Sequence, residues 1–140
     1  MSNEFIPAVT PPDPHPADAL AFAFKKDRLL IRQQDQRVHV PTLEDLADLA
    51  HIDRHYLGLC PEHGHCYALE IADATEAPAG LAFHGLRDVA ADMVPTLFGI
   101  GGRAVQIVAW GQTHRYCGRC GTQNEHAEDE RAQTCPACGL

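Results

Sequence analysis

The sequence predicts an α+β fold: a small antiparallel-sheet domain with helices, followed by a cysteine-bound knuckle at the C-terminal end. Three observations predict it. Short apolar runs separated by turn residues fill the first half of the chain. Apolar residues at helical spacing follow, and two Cys-x2-Cys pairs come last.

The 140 residues, 45% of them hydrophobic and 21% charged, suffice for one core-bearing domain with a small appendage. That composition excludes wholesale disorder. No run approaches the roughly 18 consecutive apolar residues of a membrane span. Residues 1–7 lack the basic and then apolar regions of a secretory leader. A cytoplasmic location and no membrane partner are therefore expected. Eleven Lys and Arg against nineteen Asp and Glu give a formal charge of −8. Such a balance supplies no general drive toward phosphates, so nucleic acid is not expected as a partner of the isolated chain.

Residues 1–18 carry Pro7, Pro11, Pro12, Pro14 and Pro16 with little apolar periodicity, which predicts a flexible tail. The domain proper is expected over residues 19–112. Leu20–Phe24 and Arg28–Arg32 read as strands of a hairpin turning at Lys25-Lys26-Asp27, and Arg37–Val40 as a third strand stopped by Pro41. Thr42 and Asp45 form an N-terminal capping pair before Leu43, Leu46, Leu49 and Ala50, which predicts a short helix over 43–50. His55–Cys60 and His65–Ala72 read as strands joined by the turn Pro61-Glu-His-Gly64. Leu81–Phe83 adds a short strand, and Leu86, Val89, Ala90 and Met93 give Leu86–Val94 a helical face.

Thr96–Gln112 predicts a second helix, with Leu97, Ile100, Ala104, Val108 and Gly111 on one side. Gly99, Gly101 and Gly102 each cost such a helix about 1 kcal/mol against Ala. Either it begins near Arg103, or the glycines admit another backbone or side chain closely. Trp110 reads as core packing or an interface residue.

The chemistry concentrates in residues 113–140. Cys117-Gly-Arg-Cys120 and Cys135-Pro-Ala-Cys138 are separated by fourteen residues, enough for a hairpin that brings one pair beside the other. Each Cys-x2-Cys turn aims two sulfurs at one point, and zinc takes four such donors tetrahedrally at about 2.3 Å. Cys117, Cys120, Cys135 and Cys138 are therefore the expected ligands of a structural Zn2+. With all four positions filled by sulfur, none is left for a reactive water. The alternative is a pair of redox dithiols without metal. Arg115, Arg119 and Arg131 against Glu125, Glu128, Asp129 and Glu130 leave this ribbon net acidic. A second donor cluster, Cys60-Pro-Glu-His63-Gly-His65-Cys66, could hold another metal, although buried cysteines are commonly small core residues.

The run from Leu97 to Ile107, followed by Thr113-His-Arg-Tyr-Cys-Gly-Arg-Cys-Gly121, resembles the segment entering the zinc ribbon of NADH pyrophosphatases, the NudC-type Nudix hydrolases. Phe83-His-Gly-Leu-Arg-Asp88, His55-Tyr-Leu-Gly58 and the Cys66–Ile71 strand are similar to that family's N-terminal domain. The resemblance covers residues 20–140 and is most specific at the ribbon entry.

That resemblance implies a parent enzyme that splits NAD(H) into nicotinamide mononucleotide and AMP, with some members removing NAD caps from RNA. It also implies a homodimer in which the N-terminal domain and ribbon help frame the NAD(H) site. On matching positions, Arg87 and Glu130 become candidate substrate contacts, with Arg32 a looser match. A guanidinium suits a pyrophosphate oxygen, and a carboxylate suits ribose hydroxyls.

One departure bears on activity. The family's Nudix box, with its Arg-Glu-x-x-Glu-Glu run, does not occur in this sequence. Those carboxylates hold the Mg2+ or Mn2+ that neutralises the phosphates and activates water. Such a metal is expected only where a Nudix domain is present in the full protein, and the chain alone is not expected to be catalytic. The other reading is a stand-alone ribbon module that binds RNA, a protein partner or NAD(H) without chemistry.

Overall fold

The computed structural model describes residues 5–8, 10–12 and 16–113, together with the backbone of 125–126 and 133–134. Seven strands form one sheet: β1 (Ile6–Pro7), β2 (Leu20–Lys25), β3 (Arg28–Gln34), β4 (Arg37–His39), β5 (Asp53–Cys60), β6 (Gly64–Glu70) and β7 (Ala82–Gly85). Their order is β1-β5-β6-β2-β3-β4, with β7 paired to β3. One long helix, α1 (Pro95–Thr113), packs across β2, β5 and β6.

The α+β class holds, but the sheet is mixed. β2 pairs with β6 in parallel, from Leu20 against Cys66 to Phe24 against Glu70, whereas the sequence reading expects antiparallel neighbours. Both strands lie at the centre and are buried on both faces, the setting in which parallel pairs form. Alternation along β2 sorts its side chains. Phe22 and Phe24 enter the core under α1, with Leu29, Ile31, Leu57, Val108 and others. Ala21 and Ala23 face a second cluster containing Leu30, Tyr56, Tyr67 and Leu69. Each large apolar side chain buried this way contributes about 1.5–3 kcal/mol.

Three expectations change. Residues 43–49 form successive turns instead of a helix, with amide-to-carbonyl bonds from Leu46 to Leu43 (3.2 Å), Ala47 to Glu44 (3.2 Å) and Leu49 to Leu46 (3.0 Å). The capping pair still forms: the Thr42 amide donates to Asp45 Oδ2 at 3.0 Å, and the Asp45 amide to Thr42 Oγ1 at 3.2 Å. The segment is pinned at both ends, Leu43 N–H to the Ala19 carbonyl and Ile52 N–H to the Glu70 carbonyl. Too few residues remain between those anchors to repay a helix nucleus.

Leu86–Val94 becomes two 3-10 turns, Leu86–Asp88 and Ala90–Asp92. β7 runs to Gly85, and Pro95 disfavours helical backbone at the residue before it, so no room is left for regular α-helix. Within the expected tail, Ile6–Pro7 pairs with Leu59 and Gly58 of β5 and is not free. Gly58 permits this: its φ is +138°, and a Cβ there would overlap the Ile6 carbonyl oxygen.

The second expected helix begins at Pro95, where a missing N–H costs nothing, and not at Arg103. Its buried glycines let neighbours approach. A methyl on Gly101 would meet Leu86 Cδ1 at 3.1 Å, and one on Gly111 would meet His55 Nε2 at 2.8 Å. In the C-terminal region, β8 (Glu125–His126) and β9 (Gln133–Thr134) pair antiparallel, Glu125 against Thr134 and His126 against Gln133.

Candidate functional site

Arg87 stands at one end of the sheet. The register of β3 with β7 sets Arg28 opposite Gly85, which brings the Leu86–Asp88 turn beside the β2–β3 hairpin. Leu86 packs into the core against Gly101, and the next residue, Arg87, is exposed. A recess of about 460 Å3 opens there, lined by Asp27, Gly85, Leu86, Arg87, Phe98 and Val105. The neighbouring lysines are engaged elsewhere. Lys25 Nζ donates to the Thr75 carbonyl at 3.1 Å and lies 4.6 Å from the Phe83 ring centroid, while Lys26 faces Asp73 at 3.9 Å. Among the described residues, Arg87 makes no ion pair. Its guanidinium beside an apolar wall suits an oxyanion carried on a planar group.

Arg32 is not brought to that recess. It lies four residues beyond Arg28 on β3, about 13 Å at strand rise, and pairs with His39 of β4. Strand alternation gives it the parity of Leu30, on the face away from α1, and it is exposed. Glu130 and the four ribbon cysteines, Cys117, Cys120, Cys135 and Cys138, lie outside the described residues. The β8–β9 pair does run between the two cysteine pairs, with Thr134 immediately before Cys135.

The second donor cluster does not converge. Cys60 and Cys66 are fully buried in the core facing α1, and Cys66 Sγ donates to the Gly64 carbonyl at 3.5 Å. His65 turns to the opposite face, its Nδ1 at 2.7 Å from the Tyr56 hydroxyl. Among the described residues, no three His, Cys, Asp or Glu side chains gather as a metal site. Burial pushes the Cys66 thiol up to about 12, with the nearby Cys60 adding to the rise, so Cys66 is a neutral core thiol.

A polar seat under the end of α1 escaped the sequence reading. His55 and Glu70 are the buried polar side chains of the described core, at 3% and 6% exposure. His55 Nε2 lies 3.5 Å from Asp53 Oδ2 and edge-on to Trp110, with ring centroids 6.0 Å apart. Gln112 donates through Nε2 to Glu70 Oε2 at 3.3 Å. Asp53 and Glu70 are cross-strand partners, so both contacts gather at one end of the β5–β6 pair. The only local signal was a histidine at a position whose strand parity, shared with Leu57, points to the helix.

A mixed sheet crossed by one helix, followed in sequence by two Cys-x2-Cys pairs, defines an α+β domain with a C-terminal segment of zinc-ribbon spacing. Comparison with known families carries this further: the chain belongs to the NADH pyrophosphatase-like family. Residues 18–110 match an NADH pyrophosphatase-like rudimentary NUDIX domain, and residues 112–140 match an NADH pyrophosphatase zinc ribbon domain. The chain is 37% identical over 127 residues to an NAD-capped RNA hydrolase NudC of Deinococcus radiodurans, covering 91% of this chain and 42% of that protein. It is 43% identical over 61 residues to the protein of the same name from Stutzerimonas stutzeri, covering 44% of this chain and 22% of that one. For a Pseudomonas fluorescens counterpart the identity is 37% over 91 residues, or 60% of this chain and 33% of the relative. The chain thus spans less than half the length of the curated relatives it matches.

Proposed function

We propose that this chain is the non-catalytic front part of an NAD(H) diphosphatase of the Nudix type, serving to scaffold a homodimer and to frame the NAD(H) site. The observation that carries this reading is the pairing of family membership over residues 18–140 with a sequence that lacks the Nudix box. The relatives' name, NAD-capped RNA hydrolase, supports a substrate built on NAD, free or at an RNA end.

In this reading Cys117, Cys120, Cys135 and Cys138 hold the zinc of the ribbon. The donor set fits that ion: four soft thiolates leave no position for water, so the metal supplies rigidity and no reaction. The β8–β9 pairing between the two cysteine pairs supports the same arrangement. Arg87, exposed at its recess, would bind the pyrophosphate, and Glu130 a ribose. Arg32 would contribute only where a longer chain or a second copy brings substrate across the sheet. Mg2+ or Mn2+ would belong to a Nudix domain in the full protein, where it would neutralise the diphosphate.

The purified chain with NADH and Mg2+ or Mn2+ should release no AMP, whereas metal-dependent release by clean protein would overturn the reading. Metal analysis should return one zinc per chain, and cobalt-substituted protein should show the charge-transfer bands of four thiolates. Fewer sulfur donors, or an exchangeable water on the metal, would exclude the closed site. Calorimetry with NADH, repeated on Arg87→Ala, separates site framing from a role in dimerisation alone, and sedimentation should report a dimer.

A further inference from the structure

Three sources of negative charge converge on the buried His55 ring under the end of α1. Asp53, two residues earlier on β5, shares its face of the sheet, and Asp53 Oδ2 lies 3.5 Å from His55 Nε2. Glu70, the cross-strand partner of Asp53 on β6, brings a second carboxylate to the same face and is itself buried. The third source is the last turn of α1, whose carbonyls make a helix C-terminus equivalent to about half a negative charge. Gly111 lets that turn close onto the ring. A methyl there would meet His55 Nε2 at 2.8 Å and Asp53 Oδ2 at 3.7 Å.

The other described ionisable groups near this seat are oriented or titrate differently. Arg54 lies over the Tyr67 ring on the opposite face, 5.9 Å from its centroid, and Lys25 donates to the Thr75 carbonyl. Ahead of β5, burial and then Arg54 push His51 down against the pull of Asp53, so it is neutral near pH 7. From α1, Trp110–Thr113 contribute no ionisable side chain, and Gln112 meets Glu70 through its amide. Burial by itself would expel a proton from His55. A carboxylate at 3.5 Å, a second one across the strand pair and a helix C-terminus all retain it.

We propose that His55 is a pH-sensitive latch: as an imidazolium it clamps the last turn of α1 to the β5–β6 pair, and on losing its proton it releases that turn. The charge that draws Asp53, Glu70 and the helix end together is then gone, and the two facing carboxylates repel. The sheet stays folded while the turn loosens. Because α1 runs directly into residues 114–140, the latch makes the hold on that junction respond to pH near neutrality. It uses none of Arg87, Arg32, Glu130 or the ribbon cysteines, so it stands apart from the NAD(H) reading.

The test is a titration of the full chain between about pH 5 and 9, following the His55 ring by NMR and Trp110 by fluorescence. Trp110 is the single tryptophan, its ring centroid lies 6.0 Å from that of His55, and an imidazolium quenches indole emission. His55 should titrate above about pH 7, against about 6.5 for an unperturbed histidine, and Trp110 emission should rise with the same midpoint. Asp53→Asn should lower that midpoint by about one pH unit, a tenfold loss of proton affinity. Amide exchange at 111–113, corrected for its intrinsic pH dependence, should accelerate about fivefold above the midpoint. His55→Gln should abolish the emission step, and His114→Gln, close to Trp110 in sequence, should leave it in place. A His55 midpoint at or below about 6.5 would overturn the proposal. So would an Asp53→Asn protein of native amide dispersion with an unchanged midpoint, or an emission step that survives His55→Gln. Exchange at 111–113 that ignores the midpoint would overturn the release. Where His55→Gln does not fold, the Asp53→Asn midpoint still decides.

Discussion

Gly111 and His55 occupy each other's space: a methyl group on the glycine would stand 2.8 Å from the imidazole Nε2. The histidine cannot retreat, because its buried ring is held between Asp53 and Trp110. A glycine near the end of a 19-residue helix is thus a packing device that seats α1 on the β5–β6 pair.

Substitution separates packing from propensity. Gly111→Ala should destabilise the domain by about 1–3 kcal/mol through overpacking, despite the helix propensity it gains. Gly99→Ala and Gly102→Ala meet nothing within 4 Å, and each should stabilise by about 0.5–1 kcal/mol. Urea midpoints moving in the same direction for all three variants would contradict this account. Trp110, the single tryptophan, lies at the seat and reports its loss by fluorescence.

At the sheet edge, Gly58→Ala should release β1. The added methyl would overlap the Ile6 carbonyl and demand a φ of +138° from an L-residue. The Ala8 amide, bonded to the Leu57 carbonyl at 3.0 Å, should then exchange much faster with solvent. The loss in stability should be about 1–3 kcal/mol, and deletion of residues 1–8 should remove the part due to overlap while leaving the part due to the backbone angle.

The β3–β4 turn offers a gain. Asp35 and Gln36 both have positive φ between the paired Gln34 and Arg37, the geometry of a type I′ hairpin. Replacing the pair with Asn-Gly should stabilise the protein by about 1–2 kcal/mol in thermal or denaturant unfolding. An unchanged midpoint would show that the turn carries no strain.

Alkaline pH should unfold the domain through its buried acids. Burial raises Cys66 from 9.0 to about 12 and Tyr67 from 10.0 to about 12, with neighbouring Tyr56 adding to the latter. The unfolded chain sheds these protons first, so it binds fewer protons than the native state across that interval. Stability should therefore be intact below about pH 9 and fall progressively toward about pH 12. Denaturant midpoints across this range measure the slope. The same burial predicts that Cys66 resists alkylation until the protein unfolds, a difference that peptide mass spectrometry reads directly.

Strand positions were legible because two-residue turns and alternating apolar residues act within a few residues of chain. Lys25–Arg28 and the Pro61–Gly64 turn both close hairpins where the residues suggest. Helical spacing was a weaker guide at 43–50 and 86–94, where sheet anchors at Leu43 and Ile52, and Pro95, override the periodicity. The recess at Arg87 depends on the pairing of Arg28 with Gly85. Two residues so far apart in sequence leave no local trace of that contact.

By itself the sequence determined the α+β class, the family and the zinc-ribbon character of the C-terminal segment, since each is written in residue type and short spacing. Only the tertiary structure decided that β2 takes β6 as a parallel neighbour, that Arg87 and Arg32 lie apart, and that His55 and Glu70 seat the end of α1. Those outcomes depend on which distant apolar faces are buried together. Burial acts between segments many residues apart, where no spacing rule reaches.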